Sequence, residues 1–377
     1  MEVKMKKSRK MQYCTKCLMP STRPRITFGE DGVCNACNWA EEKKSFDWSP
    51  RWKELEALCD KYRSRNKEHF DVIVPYSGGK DGAYIAYKLK NELGMTPLVV
   101  TVRPPMEDPI GVQNISNFLD HGYDHIMITP NREVGMYIDK QEFINRGIPM
   151  HAHMMAVQTV VFRCAVTYNI PFVMFAEEGE TEYGGSSKLK NKYTYDLEDS
   201  INFYLSGSDP TRYLDHFTKK ELYWYTYPTR EELMKLQPEI SHWSYFEDFD
   251  NYKHYVLAKE KLGLLEKEER NTGSYENFST TDTYIIWLYF YLMYLKFGFG
   301  RTTNVVGTDI RRGALSRKQA VELVKKYDGE YPEEYIEFYL DYYKMTREEF
   351  DAVIDKWANK ELFVKENGRW VPTFEVY

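Results

Sequence analysis

Four cysteines read Cys14-x2-Cys17-x16-Cys34-x2-Cys37. Each C-x-x-C turn aims two thiolates at one point, and two such turns complete a tetrahedron around a metal ion. Small or polar residues fill the turns, Thr15 and Lys16 in the first, Asn35 and Ala36 in the second. Between them Phe28-Gly29-Glu30-Asp31-Gly32-Val33 reads as a hairpin. The spacing predicts a structural Zn2+ on Cys14, Cys17, Cys34 and Cys37, closed to substrate. Reduced thiol pairs or a redox motif are the alternative. Cys59 and Cys164 stand alone in apolar helical patterns and read as core residues.

The strongest chemical signal is Ser77-Gly78-Gly79-Lys80-Asp81-Gly82. Two glycines let backbone approach an anion, and a following helix N-terminus offers free N–H donors and a positive dipole end. Ser77 adds a hydroxyl and Lys80 a charge. Asp81 beside phosphates makes sense with a metal, which predicts Mg2+. The loop is neither a Walker A motif nor a G-x-G-x-x-G fingerprint. The alternative is an ordinary glycine turn.

These groups need elements to hold them. Phe70 to Tyr76 reads as a buried strand before the loop, and Ala83 to Leu89 as a helix after it. Thr96–Val102, His125–Thr129 and Phe172–Phe175 read as further strands, and Val112–His121 and Met154–Tyr168 as helices. Trp48–Lys67 reads as a helix joining the cysteine module to this domain. Alternation of strand and helix predicts an α/β fold with a doubly wound parallel sheet, functional residues lying at the carboxyl ends of its strands. The expected domains are 11–47 for the cysteines, 48–200 for the phosphate loop, and 201–377 as an aromatic-rich, helical region. Ser316 with Gln319 and Thr346 with Glu349 form two capping boxes in that last region.

Among 377 residues, 51 Lys plus Arg against 57 Asp plus Glu give a net charge of −6, which argues against broad nucleic-acid binding. The 42% apolar content is that of a globular chain. No apolar h-region follows the basic start Met1 to Lys10, and the apolar run Tyr284–Leu295 is too short to span a membrane. A cytoplasmic location is expected, with reduced thiols.

The loop resembles the pyrophosphate loop, Ser-Gly-Gly-x-Asp-Ser, of the ATP pyrophosphatase (PP-loop) superfamily, whose fold is adenine nucleotide alpha hydrolase-like. Gly82 stands where Ser is usual. Beyond the loop, the chain resembles the N-acetyl sugar amidotransferases of bacterial surface-glycan biosynthesis. The matching blocks are Cys14 to Pro20, Asp31 to Cys37, Ser77 to Gly82, Phe175 to Glu180 with Tyr183-Gly184-Gly185, Leu292 to Arg301 and Lys325 to Pro332. This resemblance implies ATP-dependent conversion of an acetamido group on a nucleotide-activated sugar to an acetamidino group. The contexts it implies are lipopolysaccharide (LPS) O-antigen or nonulosonic-acid biosynthesis. It implies ATP binding by Ser77, Gly78, Gly79, Lys80, Asp81 and Gly82, with the Val102 backbone meeting adenine.

Glu177, Glu178 and Glu180 follow the fourth strand, and Glu178 and Glu180 are the candidate catalytic carboxylates beside Lys80 and Asp81. Lys296, Arg301 and Arg311 are candidate contacts to the sugar nucleotide, because guanidinium forks bind phosphate and carboxylate; surface charges on a helical unit are the alternative. No glutaminase signature is evident: neither lone cysteine sits in a glycine-rich elbow, and residue 2 is Glu. A separate glutaminase partner is therefore expected, and a homo-oligomer is possible. The rival reading is a PP-loop tRNA thiolase with a zinc ribbon, which needs further cysteines near ATP and a basic surface. A non-enzymatic zinc-ribbon scaffold leaves Lys80 and Asp81 without a task.

Overall fold

Val72–Pro75 (β1) is the central strand of a five-stranded parallel sheet of order β3-β2-β1-β4-β5. Its partners are Pro97–Val102 (β2), Asp124–Ile128 (β3), Phe172–Phe175 (β4) and Glu239–His242 (β5). The computed structural model describes residues 11–63, 68–205 and 207–377. The reading of the first ten residues, and the last four residues of the expected helix to Lys67, lie outside the described residues.

Side chains alternate across the sheet, and the two faces bury different sets. Val72, Val74, Val99, Phe172 and Met174 face one core, while Ile73, Leu98, Val100 and Val173 face the other. Helices Ser49–Arg63 (α2, after Asn35–Lys43, α1) and Lys80–Asn91 (α3) cover the first face. After Pro109–Leu119 (α4), helices Arg132–Arg146 (α5) and His151–Tyr168 (α6) cover the second. A sheet apolar on both faces and covered on both is the doubly wound arrangement. The chain runs from β1 out to β3, then returns to the far side of β1 as β4, so the strand order reverses between β1 and β4. Ligands bind at the carboxyl end of such a switch point.

Two expectations are corrected beyond residue 200. Short helices Gly179–Tyr183 (α7) and Leu197–Asp199 (α8) lead to Arg230–Leu236 (α9), and then β5 joins the sheet. The helix Asn251–Leu262 (α10) packs on α3. The sheet and its cover therefore overrun the boundary expected at 200. Much of 207–283 is short 3-10 turns and loop rather than helix. The C-terminal region is helical from Ile285–Phe297 (α11) through Arg301–Arg311 (α12), Arg317–Tyr327 (α13), Ile336–Tyr343 (α14) and Arg347–Trp357 (α15). It closes on an antiparallel hairpin, Phe363–Glu366 (β6) with Arg369–Pro372 (β7). Both expected capping boxes are formed, at Ser316 and Thr346. Helix α11 buries Trp287, Leu288, Leu292 and Leu295, and no helix among the described residues is long and apolar enough to cross a membrane.

Candidate functional site

The loop Ser77–Gly79 leaves the carboxyl end of β1 at the switch point and runs into α3. Gly78 has φ +89°, and a Cβ there would lie 2.7 Å from the Gly111 carbonyl of α4. Gly79 is the N-cap of α3 and offers no side-chain cap, so first-turn N–H groups stay free for an anion. Gly82 is extraordinarily close to β1: a Cβ would lie 2.7 Å from the Pro75 carbonyl oxygen. That contact explains a glycine where the resembling loop carries Ser.

Lys80 is buried, and its Nζ lies 2.6 Å from Asp81 Oδ2. The other carboxylate oxygen, Oδ1, lies 2.7 Å from Nδ1 of His254, a fully buried residue of α10. The His254 ring stacks on Tyr84 at 3.9 Å between centroids, and its Nε2 is buried without a partner among the described residues. Burial acts to raise the Asp81 carboxyl, but Lys80 and His254 outweigh it and hold it well below the usual carboxylate range. Sequence reasoning missed His254. A single histidine in a helical stretch 173 residues from its partner carries no local signal.

Ser77, Gly79, Asp81 and Gly82 line a cavity of about 350 Å3, together with Val102, His153, Gln158, Glu177, Tyr204 and His242. The three glutamates after β4 separate here. Glu177 faces the loop, and burial followed by the nearby Asp81 charge pushes its carboxyl up to about 7. Glu178 instead caps α7, accepting the backbone N–H groups of Glu180 at 3.2 Å and Thr181 at 2.8 Å. Glu180 turns away to accept Arg25 Nε at 2.6 Å and the Ser186 N–H at 2.8 Å. The structure thus brings Glu177, rather than Glu178 or Glu180, to Lys80 and Asp81.

Tyr204 also borders a second cavity of about 270 Å3, between the cysteine module, α6 and α11. Arg23, Arg25, Lys296, His151 and Glu180 line it beside the rings of Phe203, Tyr289, Phe297 and Phe299. His151 is buried, with both ring nitrogens unpartnered among the described residues. Burial, with Arg146 nearby, lowers the Lys296 ammonium to about 8, and Lys296 donates to the Arg146 carbonyl at 2.9 Å. A third cavity of about 270 Å3 opens at the ends of β2 and β3 and shares Val102 and His153 with the loop cavity. The three basic candidates do not converge. Lys296 lines the second cavity, Arg301 binds Ser279 Oγ at 2.8 Å and Glu276 at 3.1 Å, and Arg311 lies beside the cysteines.

Cys14, Cys17 and Cys34 are fully buried and Cys37 nearly so. Their four Sγ atoms lie within 4.8 Å of one another, with Cys14–Cys37 at 3.9 Å and Cys17–Cys34 at 3.5 Å. A metal with sulfur ligands at about 2.3 Å needs tetrahedral S–S edges of roughly 3.8 Å. The N–H groups of Lys16 and Cys34 donate to Cys14 Sγ at 3.4 and 3.2 Å. The cluster fits a closed metal site. Phe28 pairs with Cys34 across the expected hairpin, and Gly32 has φ +73° at its turn. Cys59 and Cys164 are in the cores on opposite faces of the sheet.

Three solved structures illustrate what the chain is similar to. An NH3-dependent NAD synthetase from Campylobacter jejuni is 15% identical, covering 49% of this chain and 99% of that one, with a TM-score of 0.29. An NMN synthetase from Francisella tularensis is 16% identical over 51% and 84%, with a TM-score of 0.27. The U34-tRNA thiolase NcsA from Methanococcus maripaludis, with its 4Fe-4S cluster, is 13% identical over 71% and 79%, with a TM-score of 0.30. Likenesses this slight carry no argument about the reaction. No match among curated proteins was found. A family model does match: residues 272–375, from the loop before α11 to the end of the final hairpin, fit the one described as "LPS biosynthesis protein WbpG-like, C-terminal domain". Over those residues the chain is similar to the C-terminal domain of WbpG-like LPS biosynthesis proteins.

Proposed function

We propose that the chain is an ATP-dependent amidotransferase that converts an acetamido group of a nucleotide-activated sugar into an acetamidino group. The observation that carries this reading is the loop cavity. Its lining brings the backbone of the glycine loop together with Asp81 and Glu177 at the switch point, next to a cavity walled by aromatic rings and cations. The match to an LPS biosynthesis domain supports a surface-glycan substrate, of the O-antigen or nonulosonic-acid kind.

An amide carbonyl is a poor electrophile and its oxygen a poor leaving group. In the proposed reaction that oxygen attacks the α-phosphorus of ATP and pyrophosphate leaves. Ammonia then adds to the carbon, the C–O bond breaks, AMP departs with the oxygen, and a proton is released. Free N–H groups at Gly79 and the start of α3, with Ser77 and Lys80, would hold the phosphates. Val102 would border adenine. Glu177, set above its ordinary range, suits the proton that ammonia gives up. Phosphates would draw Lys80 off Asp81 and leave Oδ2 to a cation. Mg2+ held there would supply charge neutralisation on the phosphates. Arg23, Arg25 and Lys296 would receive the sugar nucleotide. Zn2+ on the four cysteines would be structural.

Ammonia would come from a separate glutaminase, and the setting would be the cytoplasm. A thiolase needs cysteines at the nucleotide, and none is among the residues lining the loop cavity. The test is mass spectrometry of acetamido nucleotide sugars incubated with the protein, ATP, Mg2+ and ammonium. The expected product is about one mass unit lighter, since NH replaces O, with AMP and pyrophosphate formed alongside. ATP consumption without sugar conversion across uridine-, guanosine- and cytidine-linked acetamido sugars would overturn the reading.

A further inference from the structure

We infer that Arg311 is the counter-charge of the four-cysteine cluster and joins it to α7 at the edge of the loop cavity. This rests on the reading of the cysteines as a Zn2+ site, and not on the amidotransferase reaction. Four thiolates around a divalent ion carry a net charge of about −2, which is costly to bury unless a cation or hydrogen bonds offset it.

Helix α12 supplies that cation. It packs on the first cysteine turn, with Leu18 against Val306. At Gly307 the helix has no side chain, and a Cβ there would lie 3.2 Å from Arg311 Nη1 and 3.6 Å from the Cys17 carbonyl oxygen. The missing side chain leaves the space through which the guanidinium reaches the cluster. Arg311 Nη1 is buried and has no hydrogen-bond partner among the described residues. A charged donor without a partner beside anionic sulfur is an unmet interaction that metal-bound thiolates would satisfy.

The other fork of the guanidinium is used. Nη2 donates to the Glu182 carbonyl at 3.2 Å and to Thr308 Oγ1 at 3.3 Å. The Glu182 carboxylate in turn accepts Trp39 Nε1 at 2.9 Å and Lys43 Nζ at 2.9 Å, both from α1, the helix that carries Cys37. Lys43 is engaged on Glu182 and Asp248 and Lys16 on Glu41, while Arg23 holds Asn304 through Nη1 and faces the second cavity. One guanidinium therefore links the cysteine turns, the WbpG-like domain and the short helix that follows Glu177. Arg311 is a positioning residue for the metal site, where the sequence suggested a sugar contact.

Zinc affinity of the full-length chain, measured by competition with a chromophoric chelator, tests this directly. Arg311→Met should weaken Zn2+ binding about ten- to a hundredfold, as loss of groups supporting metal ligands does. Arg311→Lys keeps the charge but not the fork, and should fall between. Gly307→Ala leaves Arg311 in place but displaces its guanidinium, so it should weaken binding too, and serves if Arg311→Met does not fold. Hydrogen exchange over 179–183 should quicken in the Met variant. A wild-type chain that holds zinc while all three variants bind it within twofold of wild type overturns the role of Arg311. A wild-type chain that holds no stoichiometric zinc overturns the metal reading and this inference with it.

Discussion

Nδ1 of His254 donates to Oδ1 of Asp81 at 2.7 Å, while Lys80 holds Oδ2 at 2.6 Å. An ionised carboxylate only accepts, so Nδ1 carries the proton. The buried histidine stacks on Tyr84 and meets Phe249 edge-on, so packing holds its ring in place. It fixes one oxygen and leaves the other on Lys80, the oxygen that the proposed cation would take.

That arrangement predicts graded defects. Asp81→Asn should abolish pyrophosphate release while far-ultraviolet circular dichroism stays unchanged. His254→Ala should cost roughly tenfold to a hundredfold in kcat, since a misplaced ligand of about an ångström costs that much. His254→Asn, which restores a donor near the same point, should recover part of it. Asp81→Asn with near-normal turnover would remove this residue from the chemistry.

Gly82→Ser, which would restore the usual residue of the resembling loop, should harm this protein. The new Cβ meets the Pro75 carbonyl at 2.7 Å, and backbone cannot yield as a side chain can. A loss of about 1–3 kcal/mol is expected for such overpacking, read as a lower Tm in calorimetry. A variant as stable as wild type would show that α3 shifts freely on β1.

Glu177 should leave a pH signature in stability. Burial and the Asp81 charge raise its folded value from 4.5 to about 7. A raised folded value favours folding below the unfolded one, and that contribution is lost as pH climbs through about 7. Glu177→Gln stays neutral throughout. Its Tm relative to wild type should rise by a few degrees between pH 4.5 and pH 8. A difference that does not change with pH would place Glu177 in a wetter setting than the cavity described.

Cys34→Ser should lose the metal and loosen the N-terminal module, because a structural site contributes folding energy directly. Metal analysis and thermal melting of the purified variant check both halves. Zinc retained at wild-type stoichiometry would refute the assignment.

Nitrogen transfer should depend on free ammonia. With glutamine alone the chain should be inert, and with ammonium its rate should climb with pH as unprotonated NH3 accumulates. Arg25→Ala should raise KM for the sugar nucleotide more than for ATP, since a contact made equally in ground and transition states appears there. Glutamine-driven turnover by the isolated chain would reveal an ammonia source within it.

Local chemistry made part of this legible in the residues alone. Cys-x2-Cys turns, a glycine loop between an aliphatic run and a helix, and Ser/Thr three residues before Gln/Glu all act within a few positions. The cysteine cluster, the first four strands and both capping boxes appear as the sequence suggests. Tertiary structure decided the rest. Glu239–His242 has one aliphatic residue and becomes a strand because β4 offers an unpaired edge. Which glutamate meets the loop depends on how α7 starts: Glu178 caps it, which turns Glu180 to Arg25 and leaves Glu177 facing Asp81. Arg301 and Arg311 are ten positions apart on one helix, yet one meets Glu276 and the other the cysteines. His254 reaches Asp81 only because α10 packs on α3. Apart from the Glu178 cap, each of these is a contact between distant segments, set by packing and charge pairing that no local pattern encodes.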